Sequence, residues 1–202
     1  MPRIFSVTPI HVEPDELDRR RRRYAELAPD GLTVELVDAG PGAPAQLAAE
    51  ADLEASEGVV AAALAGVEGY DFLMPDCVLD PGVPEGARGA GMLRVVVDHL
   101  VAEGHRVAAV TRNKVIGDEL ARKVREYGHG EAFLGVAVLD LDVDAIADTA
   151  AWNGAMRSAL DGLAAKGATA VINGCSAVEV EQPAGAPLVV DPAAVALRLL
   201  AS

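Results

Sequence analysis

The chain carries two cysteines, Cys77 and Cys175, 98 positions apart. Each closes an apolar run: Tyr70-Asp71-Phe72-Leu73-Met74-Pro75-Asp76-Cys77 in the first half, and Ala168-Thr169-Ala170-Val171-Ile172-Asn173-Gly174-Cys175 in the second. A second pair of segments echoes a similar offset, Arg3-Ile4-Phe5-Ser6-Val7-Thr8 and Arg106-Val107-Ala108-Ala109-Val110-Thr111. A chain of two similar halves can fold with a pseudo-two-fold axis, which would set the two thiols across one cleft. The chemistry open to such a pair is proton transfer at both faces of one carbon: a thiolate removes a proton and a thiol returns one from the other side. A free thiol titrates at about 8.5, so the base needs activation. Two such thiols cannot both be thiolates, so they titrate as a coupled pair.

The elements that must position them read as alternating strands and helices. Short runs, apolar on both faces, predict strands near Arg3–Thr8, Thr33–Val37, Tyr70–Met74, Arg106–Thr111, Ala132–Val138, Ala168–Ile172 and Leu188–Val190, as expected of a parallel sheet covered by helices. Between them, helical patterns span Glu16–Ala28 with Asp15 as its cap, Gln46–Ala65, Met92–Glu103, Asp118–Tyr127 and Asp144–Lys166. Gly104, Gly128 and Gly167 follow three of these as C-caps. Asp191-Pro192 reads as the N-cap and first turn of a terminal helix. Such alternation implies right-handed βαβ units and a doubly wound α/β fold. The Gly- and Pro-rich stretch 82–91 marks the break between halves, giving a first lobe over 1–90, a second over 91–185, and a segment 186–202 that can return to the first. In such sheets ligands bind beyond the carboxyl ends of the strands, where Thr8, Cys77, Thr111 and Cys175 all fall.

Composition narrows the function classes. Hydrophobic residues make up 51% of the 202, enough for a substantial core, and aromatic residues only 3%. A net charge of −14 repels phosphate backbones and anionic lipid surfaces, arguing against nucleic-acid and membrane partners. No apolar run reaches the roughly 20 residues of a membrane span. No signal-peptide layout is visible, so the expected compartment is the cytoplasm. Two cysteines do not make a disulfide framework, and neither they nor the four scattered histidines show metal-site spacing. No GxGxxG or Walker pattern supports nucleotide binding.

Cys77-Val78-Leu79-Asp80-Pro81-Gly82 resembles the Cys-x-x-Asp-Pro-Gly signature of the hydantoin racemase branch of the aspartate/glutamate racemase superfamily. Asn173-Gly174-Cys175-Ser176-Ala177 is similar to the second signature, Gly-Cys followed by a small residue, and Val110-Thr111 and Gly40-Pro41 also match. The resemblance implies two pseudo-symmetric, Rossmann-like α/β lobes with an active site in the cleft between them. It implies a cofactor-independent racemase or epimerase acting on a small molecule with an acidic C–H beside a carbonyl. Cys77 and Cys175 would be the catalytic pair, and Thr8, Pro9, Val78, Thr111, Arg112, Gly174 and Ser176 the substrate-binding set. Backbone N–H groups near Val78-Leu79 and Ser176-Ala177, or helix N-termini behind the strand ends, are the candidate stabilisers of a thiolate or enolate. The resemblance further implies a homo-oligomer and no cofactor.

Departures from the family pattern bear on the substrate. Where the family carries an Asn-Pro-Asn stretch that contacts substrate, this chain reads Thr8-Pro9-Ile10-His11. That loss argues against a hydantoin or allantoin ring. Arg112, or Arg88, is a candidate partner for a substrate carboxylate, so the ligand is expected to be a carboxylate or a cyclic amide. Rival readings are a cis–trans isomerase or a decarboxylase of the same superfamily, and a small-ligand-binding protein without turnover. The bland readings stand beside these. Cysteines are among the most buried residues, and either could be a small core hydrophobe. The threonines and Ser176 could be local caps, and Asp76 an ordinary loop carboxylate. Asp80 reads as the holder of the Pro81-Gly82 turn, His11 as a packing residue, and Arg19–Arg23 as a solvated helix face.

Overall fold

The computed structural model describes residues 1–202. In chain order the elements are β1 (Arg3–Val7), α1 (Pro14–Leu27), β2 (Thr33–Val37), α2 (Glu50–Leu64), β3 (Phe72–Pro75), α3 (Met92–Ala102), β4 (Val107–Thr111), α4 (Lys114–Glu126), β5 (Phe133–Val138), a 3-10 turn at Val143–Ile146, α5 (Thr149–Ala165), β6 (Ala170–Asn173), β7 (Leu188–Val190) and α6 (Pro192–Leu200). The strands form two sheets, ordered β2-β1-β3 and β5-β4-β6-β7, and every strand pairing is parallel. This is an α/β fold with two parallel sheets flanked by helices, as the alternation in sequence requires.

The chain divides into two compact units, Met1–Val95 with Ala193–Ser202, and Val96–Pro192. Both follow one plan: the strand that opens the unit's sheet in sequence, β1 or β4, lies between the second and the third. The likeness extends past the third strand. In the second unit β7 pairs with β6. In the first, Leu73 of β3 takes an isolated parallel bridge to Gly89, with Leu73 N donating to the Arg88 carbonyl at 2.8 Å and Ala90 N to the Leu73 carbonyl at 3.0 Å. The sequence echo between the halves is therefore an echo of whole βαβ units.

Each unit has its own core. In the first, Val7 and Leu73 of the sheet pack with Val60 and Leu64 of α2. In the second, Trp152, Met156, Leu160 and Leu163 lie on one stripe of α5 at helical spacing, against Ala108, Val110 and Val171 of the sheet. Burying side chains of this size stabilises by about 1.5–3 kcal/mol each relative to leaving them exposed.

Several boundaries differ from the sequence expectation, each for a local reason. Asp15 is inside the first turn of α1, because Pro14 opens that helix and Glu13 takes the cap position. Helix α2 starts at Glu50 because the Asp52 carboxylate accepts from Ala48 N and Ala49 N and closes the entry there. Helix α4 starts at Lys114, four residues before Asp118, because the Asn113 side chain caps Ile116 N. The long helix expected from Asp144 is broken: Asp148 accepts from Ala151 N and starts α5 afresh after the 3-10 turn. Gly104, Gly128 and Gly167 do sit at positive φ behind α3, α4 and α5, where a left-handed cap favours glycine. No helix is long and apolar enough to cross a membrane.

Candidate active site

The strand ends are stitched alike in the two units. In the first, Asp76 N donates to the Val7 carbonyl at 2.8 Å, and Thr8 N to the Val37 carbonyl at 3.0 Å. In the second, Gly174 N donates to the Val110 carbonyl and Leu139 N to the Thr111 carbonyl, both at 2.8 Å. These bonds hold the carboxyl ends of three neighbouring strands together, and they fix where the next residues, Cys77 and Cys175, leave the sheet. Neither cysteine is in a disulfide.

The two threonines repeat one local role. Thr8 Oγ1 donates to the Ile10 carbonyl at 2.8 Å, and Thr111 Oγ1 to the Asn113 carbonyl at 3.0 Å. Thr8 Oγ1 also accepts from Ala39 N. Each hydroxyl thus turns the chain just past its strand. Both side chains are fully buried, as is the Pro9 that follows Thr8.

Cys77 is buried, and the Leu79 N–H donates to its Sγ at 3.4 Å. Val78 beside it is buried as well. No helix starts directly behind either cysteine, contrary to one expectation. Each is followed by a turn in which its carbonyl accepts from the residue three positions on: Asp80 N at 3.2 Å in the first unit, Val178 N at 3.4 Å in the second. Pro81 disfavours helical geometry at Asp80, which sits instead at φ 51°. Asp80 does more than hold that turn, since its carboxylate accepts from Leu93 N and Arg94 N at the start of α3. An anionic cap at a helix N-terminus is favourable on both hydrogen-bond and dipole grounds.

The carboxylate before Cys77 is not an ordinary loop group. Asp76 is 1% exposed; its Oδ2 accepts from Arg20 Nη1 at 2.9 Å and its Oδ1 from the Tyr24 hydroxyl at 2.9 Å. Burial, and then the Asp76 charge, push the Tyr24 phenol well above its ordinary range. This corrects the reading of Arg19–Arg23 as a solvated face. Arg20 is 4% exposed, held between Glu16 on its own helix and Asp76 just past β3. Arg20 and Tyr24 are four apart on α1, so one face of that helix supplies both partners.

In the second unit, Cys175 is half-buried. Asn173 organises its loop: Nδ2 donates to the Cys175 carbonyl at 2.7 Å and to the Val178 carbonyl at 3.2 Å, and Oδ1 accepts from the indole of Trp152 at 3.0 Å. Gly174 cannot carry a side chain here, because a Cβ would lie 2.3 Å from the Val110 carbonyl oxygen and 2.7 Å from Thr111 Cγ2. Ser176 is buried. Arg112 is also buried, and its Nη1 donates to the Leu141 carbonyl at 3.3 Å. Burial lowers the Arg112 guanidinium from its ordinary value, while negative charge at Cys175 and at Asp142 opposes that. Arg112 therefore belongs to the electrostatic surroundings of Cys175. Arg88 does not share that environment: it is exposed and donates to the Val67 carbonyl.

Comparison of the whole chain with solved structures now decides the fold. Allantoin racemase from Klebsiella pneumoniae superposes with a TM-score of 0.78 at 19% identity, covering 100% of this chain and 86% of that one. The chain has the racemase fold. Allantoin racemase from Pseudomonas fluorescens gives the same TM-score, 0.78, at 14% identity, covering 98% and 89%. A glycine-to-cysteine mutant of arylmalonate decarboxylase superposes at 0.51 and 18% identity, covering 100% and 94%. No family model and no curated protein matches the sequence itself. The α/β fold expected from the two cysteine motifs is thus the one the chain shares with these racemases.

Sequence reasoning missed four polar residues that organise these strand ends: Arg20, Tyr24, Asp38 and Asn173. Asp38 follows β2, where its Oδ2 lies 2.7 Å from His11 Nδ1 and Oδ1 accepts from Val12 N. The signal was available for Asp38 and Asn173, since both stand at the ends of strand-like runs. A groove of about 540 Å³ along β2, lined by Arg3, Arg21 and Tyr70, includes none of the expected site residues.

Proposed function

We propose that this protein is a cofactor-independent racemase or epimerase of a small molecule with an acidic C–H beside a carbonyl, with Cys77 and Cys175 as its two acid/base groups. The observation that carries the reading is positional. In a chain with the racemase fold, the two thiols leave equivalent strands of two similar units, one residue beyond equivalent backbone bonds.

In one direction a thiolate takes the α-proton, forming S–H, while the C–H electron pair moves into the carbonyl as an enolate. The other thiol then gives its proton to the opposite face, and its sulfur becomes the thiolate for the return reaction. Backbone donors stabilise the charge that develops; the Leu79 N–H, already on Cys77 Sγ, is one. A guanidinium beside a sulfur favours its thiolate, and Arg112 supplies that for Cys175. A buried arginine also suits a carboxylate-bearing substrate.

The test is α-deuterium incorporation in D₂O, followed by NMR over hydantoins, amino acids and 2-substituted malonates, for the wild type, Cys77→Ser and Cys175→Ser. The reading requires exchange by the wild type that each variant loses, or keeps for one enantiomer only. Release of CO₂ from the malonates without exchange on other substrates would replace it with decarboxylation. Saturable binding with no exchange would leave a ligand-binding protein.

A further inference from the structure

His11 lies in the loop after β1, four residues past Val7, and Asp38 is the first residue past β2. The His11 Nδ1 sits 2.7 Å from Asp38 Oδ2. The carboxylate is firmly placed: its Oδ1 accepts from Val12 N at 3.0 Å and its Oδ2 from Gly40 N at 3.0 Å, with Thr8 Oγ1 at 3.1 Å from Oδ1. The His11 backbone is pinned as well, its N–H donating to the Pro44 carbonyl.

This arrangement selects the tautomer of the neutral ring. A carboxylate that accepts backbone N–H bonds on both oxygens is an acceptor, so the hydrogen shared with the imidazole sits on Nδ1. The neutral ring then presents a bare Nε2, an acceptor only. The His11 side chain is 43% exposed, against 18% for Asp38, and Nε2 has no hydrogen-bond partner within the protein. A partly buried, hydrogen-bonded acid orienting a half-exposed imidazole is the arrangement of a group aimed at something outside the chain.

Its place in the fold says what that is. Adjacent strands lie about 4.8 Å apart, so the ends of β2, β1 and β3 span roughly 10 Å. Asp38 with His11, Thr8, and Cys77 occupy these three ends in turn, on the side of a parallel sheet where ligands bind. A small ring or a short chain of two or three functional groups covers that distance.

We infer that His11, oriented by Asp38, is a specificity-determining residue that accepts a hydrogen bond through Nε2 from an N–H or O–H donor of the substrate. Asp38 is a positioning residue that acts through it. The inference rests on the proposed substrate site at the Cys77 end of the first unit, and names the kind of group that ligand must carry.

The test separates the two readings by measuring binding without turnover. Affinities of 5-methylhydantoin, which has two ring N–H donors, and of its N1,N3-dimethyl analogue, which has none, are measured by calorimetry for the wild type, His11→Phe and His11→Gln. His11→Phe should weaken the parent ring about tenfold and leave the dimethyl ring unchanged, while His11→Gln, which keeps an acceptor near the Nε2 position, recovers part of the loss. Equal affinity of wild type and His11→Phe for the parent ring overturns the inference. So does an equal loss for both rings, which would mark packing in place of a hydrogen bond, and so does failure of the wild type to bind the parent ring. The cysteine variants are read separately by deuterium exchange: loss of exchange there with the His11 pattern intact leaves the inference standing, and the reverse result refutes it alone.

Discussion

Removing the Asp76 carboxylate should strand a positive charge inside the first unit. In Asp76→Ala the Arg20 guanidinium, whose side chain is 5% exposed, loses its partner at 2.9 Å, and the Tyr24 hydroxyl loses its acceptor. Breaking a buried ion pair from one side costs about 3–5 kcal/mol, because the remaining charge is uncompensated. Glu16 still holds Arg20 at 2.7 Å from the partly exposed side, which places the expected loss near the lower end, about 3 kcal/mol. For a chain of this length that lowers the midpoint of thermal unfolding by about 6–12 °C. The assay is thermal and urea unfolding of the wild type, Asp76→Ala, Asp76→Asn, and the pair Arg20→Met with Asp76→Leu. Asparagine, of the same shape, should lose less than alanine. The apolar pair should recover to within about 1 kcal/mol of wild type, since replacing both partners of a buried pair removes the desolvation cost together with the attraction. An Asp76→Ala loss under about 1 kcal/mol, or a double variant worse than the single, would refute the argument.

Arg112→Met should slow carbamidomethylation of Cys175 by iodoacetamide at neutral pH by about threefold or more, read by mass spectrometry, because the thiolate is the reacting form; an unchanged rate removes Arg112 from the surroundings of that sulfur. Gly174→Ala should cost at least about 2–4 kcal/mol in chemical denaturation, since the new Cβ meets backbone on a paired strand. Asn173→Ala should cost about 2–4 kcal/mol in the same assay, because three hydrogen bonds around the Cys175 loop go with one side chain; quenching of Trp152 fluorescence, the chain's one indole, reports it directly. Acid should destabilise the protein: burial raises the Asp38 carboxyl, but hydrogen bonds from His11, Val12, Gly40 and Thr8 outweigh that and hold it below its ordinary value. The resulting stability is present above about pH 4 and is lost as pH falls through the lowered value, so Asp38→Asn should flatten the acid limb of a pH–stability curve.

The alternation of strands and helices was legible because each sheet strand is a short apolar run and each helix carries its own stripe. Thr33–Val37 and Leu188–Val190 agree to the residue. Three of the boundaries that moved did so through single polar side chains, Asp52, Asn113 and Asp148, whose hydrogen bonds outweigh the periodic pattern locally, and the start of α1 moved with Pro14. The placement of the two cysteines was legible, one just past β3 and one just past β6. The role of Arg20 was not: five consecutive arginines look alike in sequence, and only the packing of α1 selects which one lies beside Asp76. Asp80 shows the same limit, because its partners on α3 are more than ten residues away and lie across a Pro- and Gly-rich stretch that gives no local signal.

The two thiols stand in similar backbones but unlike charge environments. Beside Cys77 the chain places a carboxylate, and it cancels that charge from beneath with Arg20 while Tyr24 takes up the second oxygen. Beside Cys175 the equivalent position is Gly174, which has no charge, and the cation Arg112 lies in the electrostatic surroundings of the sulfur. Exposure differs in the same sense, with Cys77 at 7% and Cys175 half-buried. A two-base enzyme must rest with one sulfur as base and the other as acid, and a perfectly symmetric pair would leave that choice open. On the proposed mechanism this asymmetry bears on that choice: Cys175 has a guanidinium in its electrostatic surroundings, and Cys77 has the Leu79 N–H on its Sγ. The pseudo-symmetry thus provides two matched positions, and the residues that break it, Asp76 against Gly174 and Pro9 against Arg112, give the two thiols different surroundings.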